Sequence, residues 1–175
     1  MKDEDGFTLI ELLIVVAIIG LIAAIAIPSL LRARVSANEA ATIGDIRTVL
    51  SAEYTYHSAN SGHYGVLTCL STPSDVSCVP GYALTAPTFL DSQITNLAIP
   101  KTGYTRNATY LPAPPGADAG DRDSYCFQAR PLIVNRTGIR SMAGDASGVV
   151  GETGIDADCC NAAGLLQTAV CPATR

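Results

Sequence analysis

The sequence predicts an α+β protein. A long N-terminal helix, transmembrane in its first half, packs through its second half on a small antiparallel β-sheet, and a disulfide-stapled C-terminal region follows. Three observations carry this. From Phe7 to Leu31 the chain is apolar, with Glu11 as its one charge, and about 20 apolar residues let a helix cross the hydrocarbon core. From Arg32 to Asn60 there is no Pro, and apolar residues recur mostly at three- or four-residue steps, the period of a helix with one buried face. Beyond that, short alternating runs lie between Gly- and Pro-rich turns in a region holding six Cys, which reads as strands in a bridged domain.

Taken in order, residues 1–6 (MKDEDG) are a polar leader with no fold expected. Residues 7–31 are the membrane and assembly half of the helix. Gly20, Ala23, Ala24 and Ala26 are small enough for neighbouring helices to approach closely. Pro28 lacks a backbone donor and crowds the carbonyl four residues earlier, so a kink or local unwinding is expected there. Residues 32–60 are the amphipathic half. Their predicted stripe is Val35, Ile43, Ile46, Leu50, Tyr54 and His57, with Arg32, Asn38, Glu39, Asp45 and Arg47 largely off it. Ser61-Gly62 supplies the stop. From Phe7 to Asn60 such a helix is about 80 Å long, too long to bury itself in one small domain.

Residues 61–175 form the globular head. Residues 62–87 read as loop, with Cys69 and Cys78 positioned to staple it, and Thr88 to Leu97 predicts a short helix with Phe89, Ile94 and Leu97 apolar. Gly103–Pro112 and Ser124–Val134 read as strands. The second sets Tyr125, Phe127 and Ala129 on one face, and Pro131 restricts its far end to an edge or a bulge. Ile139–Ala143 and Val149–Glu152 flank a turn at Asp145 to Gly148. The tail from residue 154 has too little apolar mass to stay ordered unless Cys159, Cys160 and Cys171 tie it down. Cys126 is expected to pair within that C-terminal group, although six Cys allow 15 pairings.

The stretch Gly6-Phe7-Thr8-Leu9-Ile10-Glu11 and the apolar run behind it resemble the N-terminus of type IV prepilins and the related type II secretion pseudopilins. That pattern is a short hydrophilic leader ending in Gly, then Phe, a Glu five residues past the Gly, and a long apolar helix with Pro near its end, here Pro28. The resemblance covers Gly6 to about Ala41. GIRSMAGDASGVV (residues 138–150) is similar, more weakly, to the strand-turn-strand end of pilin sheets. The leader departs from the family in being acidic, with Lys2 against Asp3, Glu4 and Asp5.

The resemblance implies a type IV pilin fold, cleavage between Gly6 and Phe7 by prepilin peptidase, and N-methylation of the new Phe7 amine. It implies assembly through Glu11 and Pro28, with partners that are other copies of the chain in a helical filament and the pilus assembly machinery. It also implies storage as a single-pass protein in the bacterial inner membrane before assembly into an extracellular pilus or a periplasmic pseudopilus. A secretory signal peptide has a basic start and a shorter apolar core, and a plain membrane anchor needs neither Glu11 nor the Gly-Phe junction. An isolated carboxylate in such a run costs about 2.5–3.5 kcal/mol on insertion scales, which points to a partner arriving later.

The formal net charge is −5, and an acidic chain without a basic stripe is a poor nucleic-acid binder. Six Cys without CxxC spacing point to disulfides and an oxidising compartment. Arg32 and Arg34 after the span, against Lys2 before it, point the head inward by flanking charge alone, whereas the cysteines and the family resemblance point it outward. His57 and His63 lie in no nucleophilic arrangement, no cofactor fingerprint appears, and thiolate pairs at metal spacing are missing. Asp118, Asp121 and Asp123 are weak calcium candidates that match no EF-hand spacing; solvated surface acids are the plainer reading. The expected role is therefore structural and not enzymatic: a pilus subunit, with a minor pilin or pseudopilin as the alternative and a non-polymerising anchored binding module as a third reading.

Overall fold

The structure, a computed structural model, describes residues 6–75, 77–113, 115–154 and 156–174; most of the leader thus lies outside the described residues. Leu9–Ala59 form one helix of 51 residues, α1. The chain divides into two compact units, one ending at Arg34 and the other beginning at Val35.

In the first unit the helix is apolar all round, and its large side chains from Leu9 to Leu31 are exposed. They have no core of their own to enter, so lipid or other proteins must cover them. The helix continues through Pro28. The unwinding expected there is therefore absent from the isolated chain, where Pro28 costs the ladder one donor without ending it.

In the second unit α1 covers the sheet, but its buried face is turned from the predicted stripe. Glu39, Thr42, Ile46, Val49, Ala52, Glu53 and Tyr56 are buried, whereas Tyr54 is 72 % exposed. Ile43 and Leu50 flank the buried line and pack on its core. Gly144 explains how close the helix comes: a Cβ there would lie 3.0 Å from Ile46 and Leu50. The helix ends where expected, with Ser61 and Gly62 at positive φ and the Gly62 N–H bonded to the His57 carbonyl at 3.0 Å.

The sheet comprises β1 (Tyr64–Gly65), β2 (Tyr104–Pro112), β3 (Asp121–Pro131), β4 (Ser141–Asp145) and β5 (Val150–Thr153), all antiparallel. Arg122 pairs with both Tyr64 and Pro112, and Cys126 with both Thr109 and Asp145. Each strand residue has two edges, so β2 takes one edge of β3 while β1 and β4 share the other. Tyr125, Phe127 and Ala129 do share the face that meets α1. Ser124, Cys126 and Gln128 on the opposite face are buried as well, because the C-terminal tail covers them.

Two single-turn helices, α2 (Leu67–Ser71) and α3 (Ser92–Thr95), connect α1 to β2. α2 falls in the stretch predicted to be loop. α3 is shorter than the predicted Thr88–Leu97 helix: Asp91 caps it by accepting the Gln93 N–H, and the Phe89 and Leu90 N–H groups both bond the Leu70 carbonyl instead of continuing a helix.

All six cysteines are paired: Cys69–Cys78, Cys126–Cys160 and Cys159–Cys171. The first closes the loop after α2. The other two fasten the tail to β3 and to itself, and Cys126, Cys159, Cys160 and Cys171 form a second buried cluster with Ala143. The tail also bonds the edge of the sheet, Glu152 N–H to the Pro172 carbonyl and Thr174 N–H to that of Val150.

Because Ile46, Val49 and Tyr56 are buried within this unit, residues 35–175 produced under oxidising conditions are expected to be a soluble monomer. Light scattering checks this; an obligate oligomer would mean that the helix face is shared between subunits.

Candidate assembly site

Gly6, Phe7 and Thr8 precede α1, and Phe7 is 85 % exposed. Thr8 and Glu11 form a reciprocal cap. The Thr8 N–H and hydroxyl donate to Glu11 Oε2 at 2.9 and 2.6 Å, and the Glu11 N–H donates to Thr8 Oγ1 at 3.3 Å. This is a capping box, in which two otherwise orphan N–H groups of the first turn are satisfied by side chains. Its Thr-x-x-Glu signature is present in the sequence as Thr8-Leu9-Ile10-Glu11, where the lone charge of Glu11 masks its capping role. Both residues lie after the Gly6–Phe7 bond, so cleavage there leaves the cap intact.

The structure thus brings Gly6, Phe7 and Glu11 together at the start of α1. Pro28 lies about 26 Å further along the helix, by rise per residue, and its carbonyl accepts from Arg32 Nε at 3.4 Å. A Cβ added at Gly20 would meet nothing, so nothing in the isolated subunit requires a glycine there.

The second unit holds its end of α1 by polar contacts that the sequence did not reveal. Glu39 Oε1 accepts the Ile139 and Arg140 N–H groups at 2.9 and 3.2 Å, and Oε2 accepts Arg140 Nε and Nη2 at 3.0 and 2.8 Å. Arg140 Nη1 reaches both carboxylate oxygens of Glu152 in β5. Burial opposes ionisation of Glu39, but these hydrogen bonds and the guanidinium charge outweigh it and hold the carboxyl below its ordinary value. Lys101 pairs with Asp45 at 2.6 Å, and Asn38 donates to the Thr137 carbonyl at 2.9 Å. Arg106, buried in β2, donates to the carbonyls of Gln93, Ile94, Asn96 and Ile99 and so fixes the segment around α3.

The calcium candidates do not converge. Asp121 is buried and accepts from the Asn60 side chain and the Asp118 N–H, whereas Asp118 and Asp123 are exposed. Among the described residues no group of three His, Cys, Asp or Glu could hold a metal ion.

A helix long and apolar enough to span a membrane, capped at a Phe-Thr-Leu-Ile-Glu start and continued into a disulfide-bridged sheet domain, defines a membrane-anchored helix-on-sheet subunit. Residues 1–27 match the prokaryotic N-terminal methylation motif. The type IV wide pilus major component PilA4 of Thermus thermophilus is 37 % identical over 83 residues, 44 % of this chain and 63 % of that protein. The type IV major pilin protein PilA of Myxococcus xanthus is 29 % identical over 133 residues, 75 % of this chain and 55 % of that protein. A fimbrial protein of Pseudomonas aeruginosa is 79 % identical over 28 residues, 16 % of this chain and 18 % of that protein. The matched part of the chain thus spans about half to two thirds of the length of the first two relatives. No solved structure matches. By its N-terminal motif and these relatives the chain is similar to proteins of the type IV pilin family.

Proposed function

We propose that the chain is the structural subunit of a type IV pilus filament. Residues 1–6 are the leader, removed by prepilin peptidase; residues 7–31 span the inner membrane and then form the filament core; residues 32–60 and 61–175 make the head outside the cytoplasm. The observation that carries this reading is a helix whose first half buries nothing in its own unit, yet keeps one carboxylate, Glu11, at its capped start. Lipid satisfies that surface in storage and other copies satisfy it in the filament, where Glu11 can also meet the Phe7 amine of a neighbouring copy.

Intact mass and N-terminal analysis of protein sheared from the native host tests the proposal. A chain beginning at an N-methylated Phe7 is expected, and its dominance of the sheared material separates a major subunit from a minor pilin or pseudopilin. Mature protein that still begins at Met1 would sink the reading. Gly6→Val is expected to leave uncleaved precursor in the membrane on an immunoblot, because a branched side chain at the scissile bond blocks the close approach that Gly allows. Precursor processed at the native rate would show that Gly6 is not the cleavage position.

A further inference from the structure

A cavity of about 430 Å³ opens between α3 and the start of β2, and its lining includes Ser92, Gln93, Asn96, Ile99, Lys101 and Arg106. That volume lies in the range of small-molecule sites. Two of the lining side chains are cations and none is an acid, in a chain whose formal net charge is −5. Asp91, the acid next to the lining in sequence, is turned to the Gln93 N–H at 2.6 Å.

Arg106 is the unusual member. It is 7 % exposed, and its Nη1 and Nη2 atoms donate to carbonyl oxygens only. Among the described residues no carboxylate pairs with it, and its Nε has no partner. Burial pulls its pKa below the ordinary value, and the charge of Asp45 offsets this only in part. Asp45 is itself paired with Lys101. A buried charge without a counter-ion is costly, and an anion in the cavity supplies one. Lys101 spends one of its three donors on Asp45 and keeps the others for a ligand.

The neutral donors stand on a fixed backbone. Arg106 grips the carbonyls of Gln93, Ile94, Asn96 and Ile99, and Lys101 and Tyr104 exchange backbone hydrogen bonds of 3.0 and 2.9 Å. Asn96 Oδ1 accepts the Ala98 N–H at 3.2 Å, which leaves its amide donors unspent. Little ordering is therefore left for a ligand to impose.

We infer that this cavity binds a small organic anion bearing a carboxylate and several hydroxyls, a sugar acid, with the carboxylate on Lys101 Nζ beside Arg106 and the hydroxyls toward Ser92, Gln93 and Asn96. Two sources share that chemistry: a free sugar acid, and a uronic acid residue of an acidic polysaccharide.

The test uses full-length, disulfide-intact protein in non-ionic detergent, titrated calorimetrically with D-galacturonate, trigalacturonate, D-galactose and inorganic phosphate. Galacturonate is expected to bind roughly tenfold or more tightly than galactose or phosphate, the scale of one charge pair. Asn96→Asp keeps the acceptor for the Ala98 N–H and places a negative charge in the wall. Lys101→Gln keeps a donor for Asp45 and removes the cation. Each is expected to weaken galacturonate binding about tenfold. Leu84→Asp, at a site 87 % exposed and outside the lining, is expected to leave it unchanged. Tighter binding of the trimer than of the monomer assigns the polysaccharide, and equal affinity assigns the free acid. The inference is overturned by galactose or phosphate binding as well as galacturonate, by wild-type affinity in both cavity variants, by an equal loss in Leu84→Asp, or by no binding of either acid. None of these outcomes depends on whether the chain polymerises.

Discussion

Glu11→Gln is expected to insert and be cleaved normally yet to reduce filament yield roughly tenfold or more, the scale of a single lost charge pair. Gln at the third helical position preserves the capping box with Thr8, so the start of the helix stays satisfied and only the charge is lost. In the proposed filament, the Phe7 amine of an incoming subunit meets Glu11 of one already in place. A low-dielectric core favours the registered pair and leaves buried charge in any other stagger. The contacts from Thr8 both fall on Oε2, which leaves Oε1 for that amine. Phe7 and Glu11 of one chain also share a helix face, and an internal pair would lessen the effect without abolishing it. Glu11→Val removes cap and charge together. Piliation of the two variants is read by shearing and electron microscopy, and membrane content by immunoblot. Native yield from Glu11→Gln would reduce Glu11 to a capping residue. Loss of Glu11→Val, but not Glu11→Gln, from the membrane would place the cap's role before assembly.

The N-terminal segment was legible because crossing a membrane restricts composition so strongly that Phe7 to Leu31 permits few other readings. The strands were legible where alternation is clean: Tyr125, Phe127 and Ala129 share a buried face as predicted. What failed was non-local. Tyr54 is apolar and in step with Ile43, Ile46 and Leu50, which predicts burial, while Glu39 falls off that stripe, which predicts solvation. Yet Glu39 is buried, because Arg140, some hundred residues away, supplies its counter-charge. Arg106 is buried because four carbonyls of the segment around α3 converge on it. Neither partner set is visible from local periodicity, and on α1 Glu39 lies on the buried face while Tyr54 is left outside. Burial of both faces of β3 was hidden for a similar reason: its second cover is a tail whose order depends on Cys126–Cys160 and Cys159–Cys171.

Glu53→Gln is expected to stabilise the head above neutral pH and to flatten its dependence on pH. Glu53 is fully buried beneath the sheet. Its Oε2 accepts the Gly65 N–H at 3.1 Å, whereas Oε1 has no partner. Burial pushes its carboxyl up to about 8 against the single opposing hydrogen bond. The unfolded chain releases this proton near the ordinary value of 4.5. Below that pH both states hold the proton and the group contributes no slope. Between about 4.5 and 8 the folded state holds a proton that the unfolded state has lost, so stability falls with each rise in pH. Above about 8 both states are ionised and the whole loss is in place. Gln keeps an oxygen for the Gly65 N–H and carries no charge to bury, and its amide replaces a group that was already unpartnered. The variant is therefore expected to melt within a degree or two of the native head at pH 4, and roughly 5 °C or more above it at pH 9. Thermal melts of disulfide-intact protein from pH 4 to 9 measure this, and parallel curves for the two proteins across that range would show that Glu53 is not the source of the slope. The location gives the effect its reach: Glu53 joins α1 to β1 near the end of the helix, so charging it loosens the helix from the sheet within this unit.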